Sequence, residues 1–202
     1  MIVVGLTGNY GMGKSTVAGL FKELGAVIID TDEIVGKLFQ ELPVMHEIKE
    51  TFGEGIVQGN TVDKQKLADI VFRNPSLRIA LENILHPRVF SRIDDELAKL
   101  PPNPSTVVIV EAPILFERGY QGKFDKIITV FTPEEVAIER LKGKGIPEEK
   151  AIERLKSQFP GEMKAGRSDF AIDNSSGAGD TRKQVEEIYR KLLSAEGGNR
   201  NN

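Results

Sequence analysis

The segment Gly8-Asn9-Tyr10-Gly11-Met12-Gly13-Lys14-Ser15 has the spacing G-x-x-x-x-G-K-S. It lies between a short β-branched run, Ile2 to Leu6, and the apolar residues Val17, Leu20, Phe21 and Leu24 at helical spacing. That context prescribes strand, loop and helix in succession. Glycine at positions 8, 11 and 13 lets the backbone take positive φ and approach an anion with no Cβ in the way. Successive backbone N–H groups then turn inward as a nest for phosphate oxygens, which makes Gly8, Gly11, Met12, Gly13, Lys14, Ser15 and Thr16 the expected nucleotide-binding set. Lys14 is placed to reach the β- and γ-phosphates, and the hydroxyl of Ser15 or Thr16 to ligate Mg²⁺. The chain is therefore expected to bind ATP or a related triphosphate.

The rest of the chain alternates strand and helix signals. Ala26 to Asp30 reads as a second buried strand, Thr106 to Glu111 as a third and Lys126 to Phe131 as a fourth. These runs are apolar without alternation, as parallel strands covered on both faces are. A short fifth strand is expected at Phe170 to Ile172 and a last helix from Asp180 to Leu193. Thr132 is placed to cap a helix begun by Pro133 and running to Gly143, a second helix spans Pro147 to Ser157, and Phe159 to Arg167 reads as looser. Between strands two and three, residues 33–100 read as several short helices interrupted at Pro43, Gly53 to Gly59, Pro75 and Pro87. The expected fold is α/β: a three-layer P-loop NTPase architecture, with a five-stranded parallel sheet between helices, a helical acceptor-binding insertion and a helical lid. The core is assigned to residues 1–32, 101–132 and 168–195, the insertion to 33–100, the lid to 133–167, and a disordered polar tail to 196–202.

Composition narrows the partners. A formal net charge of −3 in 202 residues argues against nonspecific nucleic-acid binding, which usually carries a basic excess. No apolar stretch approaches ~20 residues, so no membrane span is expected, and the absence of cysteine removes disulfides and thiolate metal sites. The expectation is a cytoplasmic protein, a monomer or weak homo-oligomer, acting on a small molecule.

Among phosphate-loop proteins, a GTPase switch should carry D-x-x-G and N-K-x-D, and neither occurs. The third strand ends in Glu111-Ala112-Pro113 rather than in paired acids, against a motor ATPase. A small kinase remains, with one insertion for the acceptor and another closing over ATP. From Glu139 to Arg167 there are eight basic and five acidic residues, a local charge of +3 suited to neutralising a transferring phosphoryl group. Glu111, at the end of the third strand, reads either as a water-mediated Mg²⁺ ligand or as a plain strand-end carboxylate. Asp32, where an open α/β sheet assembles its site, reads either as the residue that takes the acceptor's proton or as a helix cap.

Several segments together resemble the dephospho-coenzyme A kinase family. They are Leu6-Thr7-Gly8 through Lys14-Ser15-Thr16, the Asp30-Thr31-Asp32 element, the His86-Pro87 pair, Pro113-Ile114-Leu115-Phe116-Glu117, the trio Arg140, Gln158 and Lys164, and the stretch Gly166 to Asn174. The resemblance runs from about residue 2 to 193. It departs from the family pattern at Asn9, Tyr10 and Met12, variable loop positions, and at Lys144, where a second arginine is common and the bidentate fork is lost. It implies phosphoryl transfer from ATP to the ribose 3′-hydroxyl of dephospho-coenzyme A, with Lys14, Mg²⁺ at Ser15 and Arg140 neutralising charge. Asp32 then acts as the base, and Asn174 contacts the adenine. His86, Gln158 and Glu117 are further candidates for substrate contact. The alternatives are a kinase for another small molecule or a nucleoside monophosphate, and a nonenzymatic ATP-binding switch.

Overall fold

The computed structural model describes residues 1–195; the tail expected at 196–202 lies outside them. By contact density the chain divides into two units, Met1–Ile29 with Pro102–Asn202, and Asp30–Pro101.

The first unit is built on β1 (Ile2–Thr7), which is followed by α1 (Lys14–Glu23) and β2 (Val27–Asp30). The second unit supplies α2 (Thr31–Leu38), α3 (Leu42–Phe52), a two-stranded antiparallel hairpin β3 (Val57–Gln58) and β4 (Thr61–Val62), α4 (Lys64–Arg73) and α5 (Pro75–Ala98). The chain then returns as β5 (Val107–Glu111), β6 (Lys126–Phe131), α6 (Glu134–Gly143), α7 (Glu148–Lys156), α8 (Gly161–Ala165), β7 (Phe170–Asp173) and α9 (Ala178–Ala195).

The large sheet has the order β2-β5-β1-β6-β7, and β1 runs parallel to both of its neighbours. The expected five-stranded parallel sheet between helices is present. Its register fixes the site: Leu6 lies beside Glu111 on one side and Ile128 on the other. The loop after the central strand is thus flanked by the ends of β5 and β6, at a reversal of strand order. One face of the sheet buries Ile2, Val4, Leu6, Ile109, Ile128 and Val130 against Val17 and Phe21 of α1 and Val185, Ile188 and Leu192 of α9. Each such side chain contributes about 1.5–3 kcal/mol. On the other face, β1 has glycine: a Cβ at Gly5 would meet Leu115 and Phe124 at 2.6–3.0 Å.

Four local expectations need correction. Pro87 does not interrupt a helix: His86 and Pro87 both lie inside the 24-residue α5. An interior proline costs about 3 kcal/mol, but burial of Ile84, Leu85, Val89 and Ile93 along the same helix returns more. The Arg88 guanidinium donates to the Ile84 carbonyl at 2.6 Å and pairs with Glu47 of α3. The Gly53 to Gly59 stretch is not merely a break, because it leads into the β3–β4 hairpin, where Val62 and Ile56 are buried. Thr132 does not cap α6: the cap residue is Pro133, without a side-chain bond, and the Thr132 hydroxyl is buried without a partner. The segment expected to be loose contains α8, which packs against β6.

Candidate active site

The loop between β1 and α1 has Gly8, Gly11 and Gly13 at φ 145°, 82° and 89°. Each is pressed against a neighbour. A Cβ on Gly8 would run into the Val130 carbonyl oxygen, one on Gly11 would sit 2.9 Å from the Ala137 carbonyl oxygen, and one on Gly13 would overlap the Asn174 amide. The loop is therefore wedged between the end of β6, α6 and the segment after β7, and only glycine permits that approach. Gly13, in the left-handed region, is the cap residue of α1. The helix-opening amides of Lys14, Ser15 and Thr16 precede the first possible intrahelical acceptor, which gives the loop an electropositive floor. Lys14 Nζ donates to the carbonyls of Gly8 and Asn9 at 2.9 and 3.2 Å, so the ammonium is held over the loop.

Beside this floor, Ser15 Oγ is 3.4 Å from Glu111 Oε2. The two oxygens make a hard donor pair of the kind Mg²⁺ takes when most of its remaining ligands are waters and phosphates. Among the described residues no group of three or more His, Cys, Asp or Glu is placed to enclose a metal.

Asn174 is 8% exposed, and both ends of its side chain are engaged. Its Nδ2 donates to the Met12 carbonyl at 2.9 Å, and its Oδ1 accepts from Thr181 Oγ1 at 2.9 Å. Its backbone carbonyl accepts from Arg140 Nη2 at 2.7 Å, while Arg140 Nη1 is buried without a partner. The structure thus joins Arg140 of α6, Asn174 after β7 and Met12 of the loop. Thr181 belongs to the same network and was not singled out in the sequence, where a lone threonine opening a helix reads as a cap.

The loop is held on its other side as well. Tyr10 N donates to Gln158 Oε1 at 3.0 Å and Asn9 Nδ2 to the Phe159 carbonyl at 2.9 Å. The Arg154 guanidinium lies 4.7 Å from the Tyr10 ring centroid.

The sequence profile of the dephospho-CoA kinase family matches residues 2–180. The dephospho-CoA kinase of Aquifex aeolicus is 41% identical over 192 residues, covering 94% of this chain and 96% of that one. The chain belongs to the dephospho-CoA kinase family. In solved structures, a Thermus thermophilus protein superposes with TM-score 0.85 at 31% identity, covering 95% and 97% of the two chains. The dephospho-CoA kinase from Campylobacter jejuni does so with TM-score 0.69 at 28% identity, covering 96% and 98%.

Within this dephospho-CoA kinase family chain, the Pro113–Glu117 segment and Lys164 meet in the interior. Lys164 is fully buried; Nζ donates to Glu117 Oε1 at 2.7 Å and to the Pro113 carbonyl at 3.0 Å. Burial lowers its pKa from the usual 10.5, opposed by the adjacent Glu117 carboxylate. Glu117 Oε1 also accepts from Phe159 N at 2.9 Å. Of the basic residues counted towards the local charge, Lys164 is thus committed to an internal pair and Arg154 to an aromatic face. Lys144 is exposed at the end of α6.

In the second unit, the Asp-Thr-Asp element divides its labour. Asp30 is the cap of α2, its Oδ1 accepting from the amides of Asp32 and Glu33 at 2.8 and 3.3 Å. The capping role weighed for Asp32 falls to Asp30, and Asp32 stands in the helix's first turn. His86 lies mid-way along α5.

Proposed function

We propose that the chain transfers the γ-phosphoryl group of ATP to the ribose 3′-hydroxyl of dephospho-CoA, giving CoA and ADP. The reading is carried by the Ser15–Glu111 pair beside a glycine-walled loop, in a chain that matches a kinase family over nearly its whole length.

Phosphoryl transfer asks the protein chiefly for in-line positioning and for neutralisation of charge spread over the phosphoryl oxygens. The glycine-walled nest and the α1 N-terminus bind the phosphates through backbone N–H groups. Lys14, tethered to Gly8 and Asn9, holds a positive charge over them. Ser15 and Glu111 fit Mg²⁺, which when bound supplies further neutralisation of the phosphate oxygens. Arg140, with one nitrogen on the Asn174 carbonyl and another buried and unpartnered, keeps a donor in reserve for the nucleotide. Asn174 shapes the nucleotide side of the loop and is assigned to the adenine. Asp32 orients the acceptor hydroxyl and takes its proton. Asp30, not Asp32, caps α2, and Asp32 stands in the first turn of that helix.

In this reading residues 33–100 bind the acceptor and residues 133–167 close over ATP. We place the reaction in the cytoplasm, where ATP is at hand, and the enzyme as a monomer or weak homo-oligomer. The deciding experiment measures ADP release with dephospho-CoA, AMP, dTMP and pantetheine phosphate as acceptors. Release with dephospho-CoA alone supports the reading. Release with another acceptor in its place, or with none, rejects it.

A further inference from the structure

Besides its own internal bonds, the tip of the phosphate loop is anchored on the junction between α7 and α8. Tyr10 contributes its backbone N–H to Gln158 Oε1, Asn9 contributes its side-chain amide to the Phe159 carbonyl, and Met12 packs on Leu155 and lies against Gly161. A Cβ at Gly161 would stand 3.0 Å from Met12 Cε, so a side chain there would require the Met12 methyl to give way. The junction is fixed from behind. Phe159 N donates to Glu117, whose carboxylate is held by the buried Lys164 ammonium. On the opposite side of the loop, Asn174 holds the Met12 carbonyl. The loop therefore sits in a two-sided clamp, and one jaw is built around Gln158.

We infer that Gln158 is a positioning residue for the phosphate loop, acting on ATP through Tyr10 rather than touching dephospho-CoA. The inference rests on the kinase reading above. A glutamine suits the task because its amide oxygen accepts an N–H without bringing negative charge to a site meant for phosphates. Asn9, Tyr10 and Met12 are the loop residues that make this jaw, and the Arg154–Tyr10 contact belongs to it. The nest binds phosphate only if its N–H groups converge, so loosening Tyr10 disperses them and raises the entropic cost of binding. The expected loss is that of one net hydrogen bond, about three- to tenfold in affinity.

The test compares Gln158→Ala and Gln158→Glu with the wild-type enzyme. In Gln158→Ala, KM for ATP and the dissociation constant of a fluorescent ATP analogue rise about three- to tenfold, while KM for dephospho-CoA and the melting temperature stay put. Hydrogen exchange at the Tyr10 amide accelerates in the same variant and slows again in Gln158→Glu, which keeps an acceptor oxygen. A rise in the dephospho-CoA KM alone, or an unchanged Tyr10 exchange rate with unchanged nucleotide binding, overturns the inference. Analogue binding and amide exchange need no acceptor, so they decide the role of Gln158 even if the wild-type enzyme fails to phosphorylate dephospho-CoA.

Discussion

Ser15 Oγ and Glu111 Oε2 lie 3.4 Å apart although the residues are 96 positions distant in sequence. The parallel register of β1 and β5 brings them together, since Leu6 is paired with Glu111 and the loop leaves β1 one residue later. Replacing the carboxylate while keeping its shape separates metal affinity from folding. Glu111→Gln should raise the Mg²⁺ concentration for half-maximal turnover by about 10- to 100-fold, the usual effect of losing a supporting carboxylate. The melting temperature should hold. A magnesium titration of initial rates checks this, and an unchanged midpoint would reduce Glu111 to a strand-end carboxylate.

Gly13 makes a sharper demand on the backbone. At φ 89°, with the Asn174 amide where a Cβ would lie, alanine has both strain and overlap to relieve. The strain alone is of order 1–3 kcal/mol. Gly13→Ala should abolish nucleotide binding, whereas Gly19→Ala, on an open face of α1, should leave it intact. Isothermal titration with ATP distinguishes the two.

The loop and the sheet were legible in the sequence because each rests on local chemistry: glycine spacing for one, unbroken β-branched runs for the other. The network around Asn174 was only half legible. A family resemblance pointed to the residue, but its bond to Met12, 162 positions away, is a tertiary fact with no local signal. Pro87 misled for the opposite reason, since a strong local helix breaker was outweighed by the burial of Ile84, Leu85, Val89 and Ile93. Lys164 read as one more cation in a basic stretch. Nothing in its neighbours announces that its charge is enclosed with Glu117.

Asp30 and Asp32, two residues apart, should fail in different ways. Asp30→Ala removes the cap of α2 and should cost about 1 kcal/mol of stability, seen in urea unfolding, with turnover at permissive temperature largely kept. Asp32→Ala should lower kcat by about 10²- to 10⁴-fold, the range for a lost general base, with ATP affinity near wild type. Normal turnover in purified Asp32→Ala would sink its assignment as the base. Lys14→Ala should weaken both ATP binding and turnover.

Asp169 ties the start of β6 to the turn before β7, accepting from Lys126 Nζ at 2.8 Å and from the Ile127 amide at 2.9 Å. Burial works against its charge, but those two donors win and hold its pKa below 3.8. A carboxyl with a depressed folded pKa contributes stability above its unfolded value and loses it as pH falls through the folded one. Asp169→Asn should therefore melt below wild type at pH 7, with the gap narrowing once pH drops under 3.8. A gap that stays constant down to pH 2 would rule out this linkage.

Lys164 and Glu117 offer a test in the alkaline range. Burial places the folded pKa of Lys164 below 10.5, so the folded state binds fewer protons than the unfolded one between those values, and stability rises with pH across that window. Glu117 opposes the shift, so removing it widens the window downward. Glu117→Ala should cost about 3–5 kcal/mol near neutral pH, because a buried ammonium loses its partner. Part of that loss should return as pH climbs towards 10.5. The double variant Lys164→Met/Glu117→Leu, with no buried charge left, should be much closer to wild type in stability and flat over the same range. It should still bind ATP less tightly, because Phe159 N loses the carboxylate that fixes the α7–α8 junction against the phosphate loop. Melting curves from pH 7 to 10.5 read the first effect and nucleotide titration the second, so the stability of the pair and its reach to the loop are measured separately.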